Sequence, residues 1–230
     1  MIPTVLLFDV DGTLVTTGGA GKRAIDLALA QHGASDSADF SFAGMTDRAI
    51  TRQGLTRAHL EPSETLIDQV LKSYLALLHQ TVTAVPDDQY RIHDGVIATL
   101  DRCTSAPGFA VGLGTGNIER GAQIKLARVG LARRFAFGGF GSDAEDRAEL
   151  IGIGAERGAA RLNRPVGDCR IVVIGDTPKD IAAAKAIGAE SFAVATGPLT
   201  FETLAAEAPT HLHLSLAAPE AQAALMSPSD

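Results

Sequence analysis

Near the N-terminus the apolar tetrad Val5-Leu6-Leu7-Phe8 runs without a polar break into Asp9-Val10-Asp11-Gly12-Thr13. A short run of this kind reads as a strand buried on both faces, as parallel-sheet strands are. The acidic pair then falls at the strand's C-terminal end, just ahead of a glycine turn. A chain that begins this way has to cover that strand with helices on either side.

The second half of the sequence supplies them. Strands are expected over 109–114, 135–137, 171–174, 192–194 and 211–214, and helices over 118–128, 147–162 and 179–187, the last closed by Gly188. Such alternation implies βαβ units and an α/β fold, a doubly wound parallel sheet. Residues 18–83 differ. Ile25, Leu27 and Leu29 recur at helical spacing, as do Ile67, Val70, Leu71, Tyr74 and Leu78, with Ile50 and Leu55 on a more polar segment between. This stretch is expected to be a small helical module without strands, inserted after the first strand. The division is 1–16 and 85–230 for the core and 17–84 for the module. Residues 84–93 serve as a return linker and 217–230 as a weakly helical tail.

Composition narrows the class. The 230 residues carry a net charge of −7, with 46% hydrophobic and 20% charged residues. That balance suits a globular chain and argues against nucleic-acid binding, which relies on clustered Lys and Arg. No stretch approaches the roughly 18 apolar residues of a membrane span, and no basic leader precedes the first strand. Cys103 and Cys169 lack metal-ligand spacing and are expected to be reduced and buried. A cytoplasmic protein with no membrane partner is the expectation.

Three strand ends carry polar clusters: Asp9 with Asp11, Thr115 with Asn117, and Asp176 with Asp180. In open α/β sheets ligands bind outside the carboxyl ends of the strands, so all three can converge. Carboxylates meeting there repel unless a hard cation neutralises them. Mg²⁺ fits, because it takes oxygen ligands from one or two carboxylates together with substrate phosphate. Any one cluster alone reads equally well as a helix or turn cap; three together do not.

The segments Phe8-Asp9-Val10-Asp11-Gly12-Thr13-Leu14, Gly114-Thr115-Gly116-Asn117 and Gly175-Asp176-Thr177-Pro178-Lys179-Asp180 resemble, in order and strand context, the motifs of the haloacid dehalogenase superfamily. The resemblance spans essentially the whole chain and points to the branch of phosphoglycolate phosphatase-like enzymes with a small helical cap. It implies that Asp9 attacks phosphorus and that Asp11 serves as general acid and then base. It also implies that Asp176, Asp9 and the Val10 carbonyl hold Mg²⁺, with Asp11 counted among the metal-site carboxylates and Asp180 as a further ligand or outer anchor. Thr115 is expected to hydrogen-bond a phosphoryl oxygen, with Gly116 and Asn117 beside the substrate. An acid at Asp11 favours a phosphate ester over a carbon–halogen bond, because halide leaves without protonation.

The family also needs a Lys or Arg beside the aspartyl-phosphate. Two candidates present themselves: Lys125, set among apolar neighbours on the helix after Thr115, and Arg147, in the usual region of the chain but with acidic neighbours. Lys125 is the expected choice, since a lysine about two turns into that helix can reach back toward the strand end. Residues 42–48 look like a cap loop, from which Arg48 would clamp the far end of an anionic substrate. Gly18-Gly19-Ala20-Gly21-Lys22 lacks the spacing of a nucleotide-phosphate loop and reads as a hinge. His211 and His213 read as exposed edge-strand residues, and Arg128, Arg133 and Arg134 as a solvated face.

The expected function is thus Mg²⁺-dependent hydrolysis of a small phosphorylated metabolite. The alternatives are a sugar-phosphate mutase working through the same core residues, a non-catalytic small-molecule-binding relative, and, furthest off, a dehalogenase.

Overall fold

The computed structural model describes residues 2–36 and 38–227. The expected C-terminal tail therefore falls partly outside the described residues. Its described part forms helix α9 (Pro219–Met226), which buries Ala221 and Leu225 against the core.

Strand β1 (Thr4–Phe8) is buried along its whole length. It pairs in parallel with β4 (Phe109–Thr115) on one side and β6 (Arg170–Gly175) on the other. Beyond them stand β5 (Gly138–Phe140), β7 (Glu190–Val194) and β8 (His211–His213), giving the parallel order β5-β4-β1-β6-β7-β8. Alternate residues of β1 serve opposite faces, as the two-residue repeat of a strand requires. Leu6 and Phe8 pack with α4 (Val96–Ser105), α5 (Glu119–Arg128) and α9. Val5 and Leu7 pack with α6 (Arg147–Arg161) and α7 (Pro178–Ala186). Each fully buried Leu or Phe contributes on the order of 1.5–3 kcal/mol, which makes this strand the centre of the core. The α/β doubly wound sheet is as expected.

The third strand is displaced from its expected place. Residues 135–137 lead into β5, which occupies Gly138–Phe140 instead. Aromatic residues drew the expectation to 135–137, but packing decides the strand: a Cβ at Gly139 would stand 1.8 Å from the Leu150 carbonyl oxygen. Only a side-chain-free residue lets α6 lie this close.

Between β1 and β4 the chain makes its excursion. A short strand, β2 (Val15–Thr17), leads to α1 (Ala20–Gln31), α2 (Asp47–Arg57) and α3 (Glu64–Ala84). The chain then returns through β3 (Tyr90–Ile92), antiparallel to β2. Helices α1 to α3 enclose an apolar cluster of their own, including Ile25, Leu29, Leu55, Ile67, Tyr74 and Leu78. The return segment expected as a linker thus holds a strand. Arg128, expected on a solvated face, pins it by donating to the Val82 and Val85 carbonyls and lying 4.5 Å over the Tyr90 ring. Helix α8 (Phe201–Ala206) joins β7 to β8. His211 and His213 do lie on the edge strand, yet both are half-buried and packed on the Phe192 ring. Among the described residues, no helix is long and apolar enough to cross a membrane. Cys103 and Cys169 are free; Cys103 is buried as expected, Cys169 only partly.

Candidate active site

The topology places β1 between the two strands reached by opposite crossovers, and the crevice outside such strand ends is where ligands bind. A cavity of about 410 Å³ opens there, with Asp9, Asp11, Asn117, Lys125, Arg147 and Asp176 among its core-side lining. Phe42, Gly44, Met45, Asp47 and Tyr74 close it from the helical module.

Asp9 follows β1 directly and is buried. Its carboxylate faces Arg147 at 3.1 Å, and the Thr115 side chain favours its charged form. Burial raises the Asp9 carboxyl to about 6, as does the charge of Asp180, while Arg147 and Thr115 work against the rise. Thr115 is fully enclosed at the end of β4 and lies outside the cavity lining, with its Oγ1 accepting from Asn117.

Asp11 lies two residues on, after which Gly12 turns the chain at φ +82. A Cβ at Gly12 would stand 2.2 Å from the Asp176 carboxylate, so glycine is required there both for its backbone and for room. The half-buried Asp11 carboxylate accepts from Lys125 Nζ at 2.6 Å, Asn117 Nδ2 at 2.9 Å and the Thr17 hydroxyl at 3.2 Å. Burial works to raise its pKa, but the Lys125 ammonium and these hydrogen bonds outweigh it and hold Asp11 below the usual range. Asn117 cross-links the pair: it also donates to Thr115 Oγ1 at 2.9 Å and accepts from Lys125 Nζ at 2.5 Å.

The choice between Lys125 and Arg147 needs correction, because both are buried in the site with different partners. Arg147, the first residue of α6, holds Asp9, and its Nε donates to Asp180 Oδ1 at 2.9 Å. Lys125 holds Asp11 and Asn117 instead. The acidic neighbours Glu145 and Asp146 do not draw Arg147 outward. Glu145 is engaged by Arg52 at 2.8 Å, and Asp146 caps the helix by accepting from the Glu149 N–H.

Carboxylate oxygens of Asp9, Asp176 and Asp180 lie within 4.8 Å of one another, all buried. Burial pushes Asp176 well up, reinforced by the charges of Asp180 and Asp9. Three hard oxygen donors that repel one another fit a divalent cation such as Mg²⁺. Asp180 is already occupied, since Oδ2 accepts from the Thr177 N–H and hydroxyl while Oδ1 takes Arg147. It therefore suits an outer anchor better than a direct ligand. Asp11, expected in the same cluster, stands apart from it on Lys125. The Val10 carbonyl, also expected as a ligand, accepts the Leu14 and Val15 N–H groups of the turn.

Arg48 does not reach the cavity. It ion-pairs with Glu64 and Asp68 on the module's outer side, where two nearby carboxylates compete for it. The next residue back does reach in. Asp47 is buried, its N–H donates to the Gly116 carbonyl at 2.8 Å, and its Oδ2 accepts the Ile118 N–H at 2.8 Å. Neither Asp47 nor Tyr74 was legible as a site residue: one follows a helix cap, the other continues an apolar helical face. Gly19, Gly21 and Lys22 also line the cavity, while Gly18 and Gly19, at positive φ, lead into α1.

The family described as haloacid dehalogenase-like hydrolase matches residues 3–188, and the chain belongs to it. It is 28% identical over 198 residues to a phosphoglycolate phosphatase of Xanthomonas campestris pv. campestris, covering 85% of this chain and 84% of that one. Its fold is shared with a β-phosphoglucomutase from Clostridium difficile at TM-score 0.70, 17% identical, covering 94% of this chain and 92% of that one. A hydrolase from Pseudomonas syringae shares it at TM-score 0.69, 16% identical, covering 93% and 94%.

Proposed function

We propose that this chain is a phosphomonoesterase that cleaves a small phosphorylated metabolite through an aspartyl-phosphate. The observation that carries the reading is the division of labour between Asp9 and Asp11. Two carboxylates two residues apart have separate cation partners, Arg147 for one and Lys125 for the other. Environments that drive paired titratable groups apart are how acid–base assignments are made in active sites. The likeness to a phosphoglycolate phosphatase supports the phosphate ester.

In this reading Asp9 attacks phosphorus in line, and the ester bond to the leaving oxygen breaks as the aspartyl–phosphorus bond forms. Arg147, fixed by Asp180, stabilises the equatorial oxygens, while Thr115 orients the attacking carboxylate. Asp11 protonates the leaving oxygen; a phosphoryl dianion arriving beside it raises its proton affinity. In the second half Asp11, held ionised by Lys125 and Asn117, takes a proton from the water that attacks phosphorus and restores Asp9. Asp9 and Asp176 would hold Mg²⁺, which supplies charge neutralisation at the phosphoryl group and keeps Asp9 ionised. Residues 17–84 serve as a cap over a catalytic core formed by 1–16 and 85–230, which limits substrates to small molecules. The free cysteines favour a reducing, cytoplasmic setting.

The test is release of inorganic phosphate from an aryl phosphate with Mg²⁺, repeated in excess chelator. Turnover that vanishes in chelator is expected; equal rates in both would remove the metal role. Conversion of a sugar phosphate to its isomer, without free phosphate, would favour the mutase.

A further inference from the structure

Opposite the carboxylates of the core, the helical module presents two buried polar groups to the cavity. One is Asp47, the first residue of α2, which uses Oδ2 on the Ile118 N–H. No described residue hydrogen-bonds its other oxygen, Oδ1. The second is Tyr74 on α3, 1% exposed and within the field of the Asp47 and Asp11 charges; its hydroxyl likewise has no hydrogen-bond partner among the described residues. Both residues line the cavity, so the two polar atoms are open to a ligand and free to hydrogen-bond it. Two of the module's cations nearest the cavity already have partners, although Lys22 stays on its lining. Arg48 is on Glu64 and Asp68, and Lys22 donates to the Ala38 carbonyl at 2.5 Å, over the Phe42 ring.

We propose that Asp47 and Tyr74 form the subsite for the leaving group, and that this group is an uncharged polyol rather than a carboxylate-bearing alcohol. Asp47 Oδ1 accepts a substrate hydroxyl, and the Tyr74 hydroxyl donates to a substrate oxygen. A substrate carboxylate in the same place meets Asp47 as a like charge in a largely enclosed cavity, which disfavours it. This rests on the phosphomonoesterase reading and specifies its substrate class. It also separates the chain from what the name of its Xanthomonas relative would suggest.

Asp47→Asn tests the proposal without removing the contact that docks the module. The amide oxygen can still accept the Ile118 N–H, while the cavity-facing atom changes from acceptor to donor. The assay compares kcat/KM for a sugar or polyol monophosphate, for 2-phosphoglycolate and for an aryl phosphate. Wild type should prefer the polyol phosphate to 2-phosphoglycolate by at least about tenfold, the discrimination expected of one polar contact. Asp47→Asn should lower kcat/KM for the polyol phosphate and raise it for 2-phosphoglycolate. Tyr74→Phe, which keeps the ring in the module's core, should raise KM for the polyol phosphate more than for the aryl phosphate. A wild-type preference for 2-phosphoglycolate, or all three substrates moving together in Asp47→Asn, would overturn the subsite. Absence of turnover on every phosphate ester would instead overturn the phosphatase reading beneath it.

Discussion

Arg147 stands 3.1 Å from Asp9 and at the same time donates to Asp180, so a single guanidinium separates the carboxylates that follow two neighbouring strands. Its fork geometry suits this better than an ammonium would, since it can address both acids at once. Arg147→Ala should lower kcat by about 10²–10³, the usual cost of removing one preorganised charge-stabilising donor. It should also lower the melting temperature, because a buried pair losing its cation costs roughly 3–5 kcal/mol. Arg147→Lys should recover part of both. Near-normal kcat in Arg147→Ala, measured on protein shown to be folded, would give the role to Lys125 alone.

The two aspartates separate by intermediate. Asp9→Asn should abolish turnover, since no attacking carboxylate remains. Asp11→Asn should slow it by roughly 10²–10⁴, the range of general acid–base assistance, and let a phosphoenzyme accumulate. Mass spectrometry of acid-quenched protein reads the adduct directly. Its appearance in Asp9→Asn would place the nucleophile elsewhere.

Asp47 makes a pH prediction of definite sign. Burial raises its carboxyl from 3.8 to about 6, although Lys125 and the Ile118 N–H pull the other way. Across that interval the folded protein keeps a proton that the unfolded chain releases. The stability this group contributes is therefore full at low pH and is lost as pH rises through about 6. Asn at this position has no proton to release. Asp47→Asn should be more stable than wild type near pH 8 by up to ~3 kcal/mol, with the difference closing toward about pH 4. Urea melts of the two proteins in chelator, across that range, check it; a constant difference would show that the charge is not the cause.

Two glycines on or beside α6 should respond in opposite directions. Gly139→Ala forces a methyl into the Leu150 carbonyl and should destabilise by at least about 1–3 kcal/mol, the range for overpacking. Gly152, within α6, has nothing within 4 Å of an added Cβ. Gly152→Ala should stabilise by roughly 0.5–1 kcal/mol through helix propensity. Thermal melts of both settle the matter, and a destabilised Gly152→Ala would contradict the packing described.

What could be read in advance was what periodicity and strand-end chemistry encode. The buried tetrad at Val5–Phe8, the later alternation and the acidic strand ends all announce themselves locally. The three-residue strands β2 and β3 do not, because so short a segment shows no repeat and exists only by pairing with its partner. Lys125 was legible as an oddity, a cation among apolar neighbours, but its partner was not. Which carboxylate a buried cation meets depends on how α5 and α6 are set against the sheet, and no local pattern records that. Arg48 and Asp47 are adjacent in sequence and were separated by helix rotation alone, one turned to solvent acids and the other into the cavity.

The pairing of Thr17 with Tyr90, in a two-stranded ribbon outside the main sheet, brings the start and the end of the excursion together at a single point. In topological terms everything between those residues is one hairpin loop, however much structure it contains. Its removal and replacement by a tight turn would leave each strand of the sheet with its present neighbours and register. Substrate preference, carried by residues inside that loop, and phosphoryl chemistry, carried by residues outside it, are therefore written in separable stretches of the sequence. Either can change by mutation while the other stands.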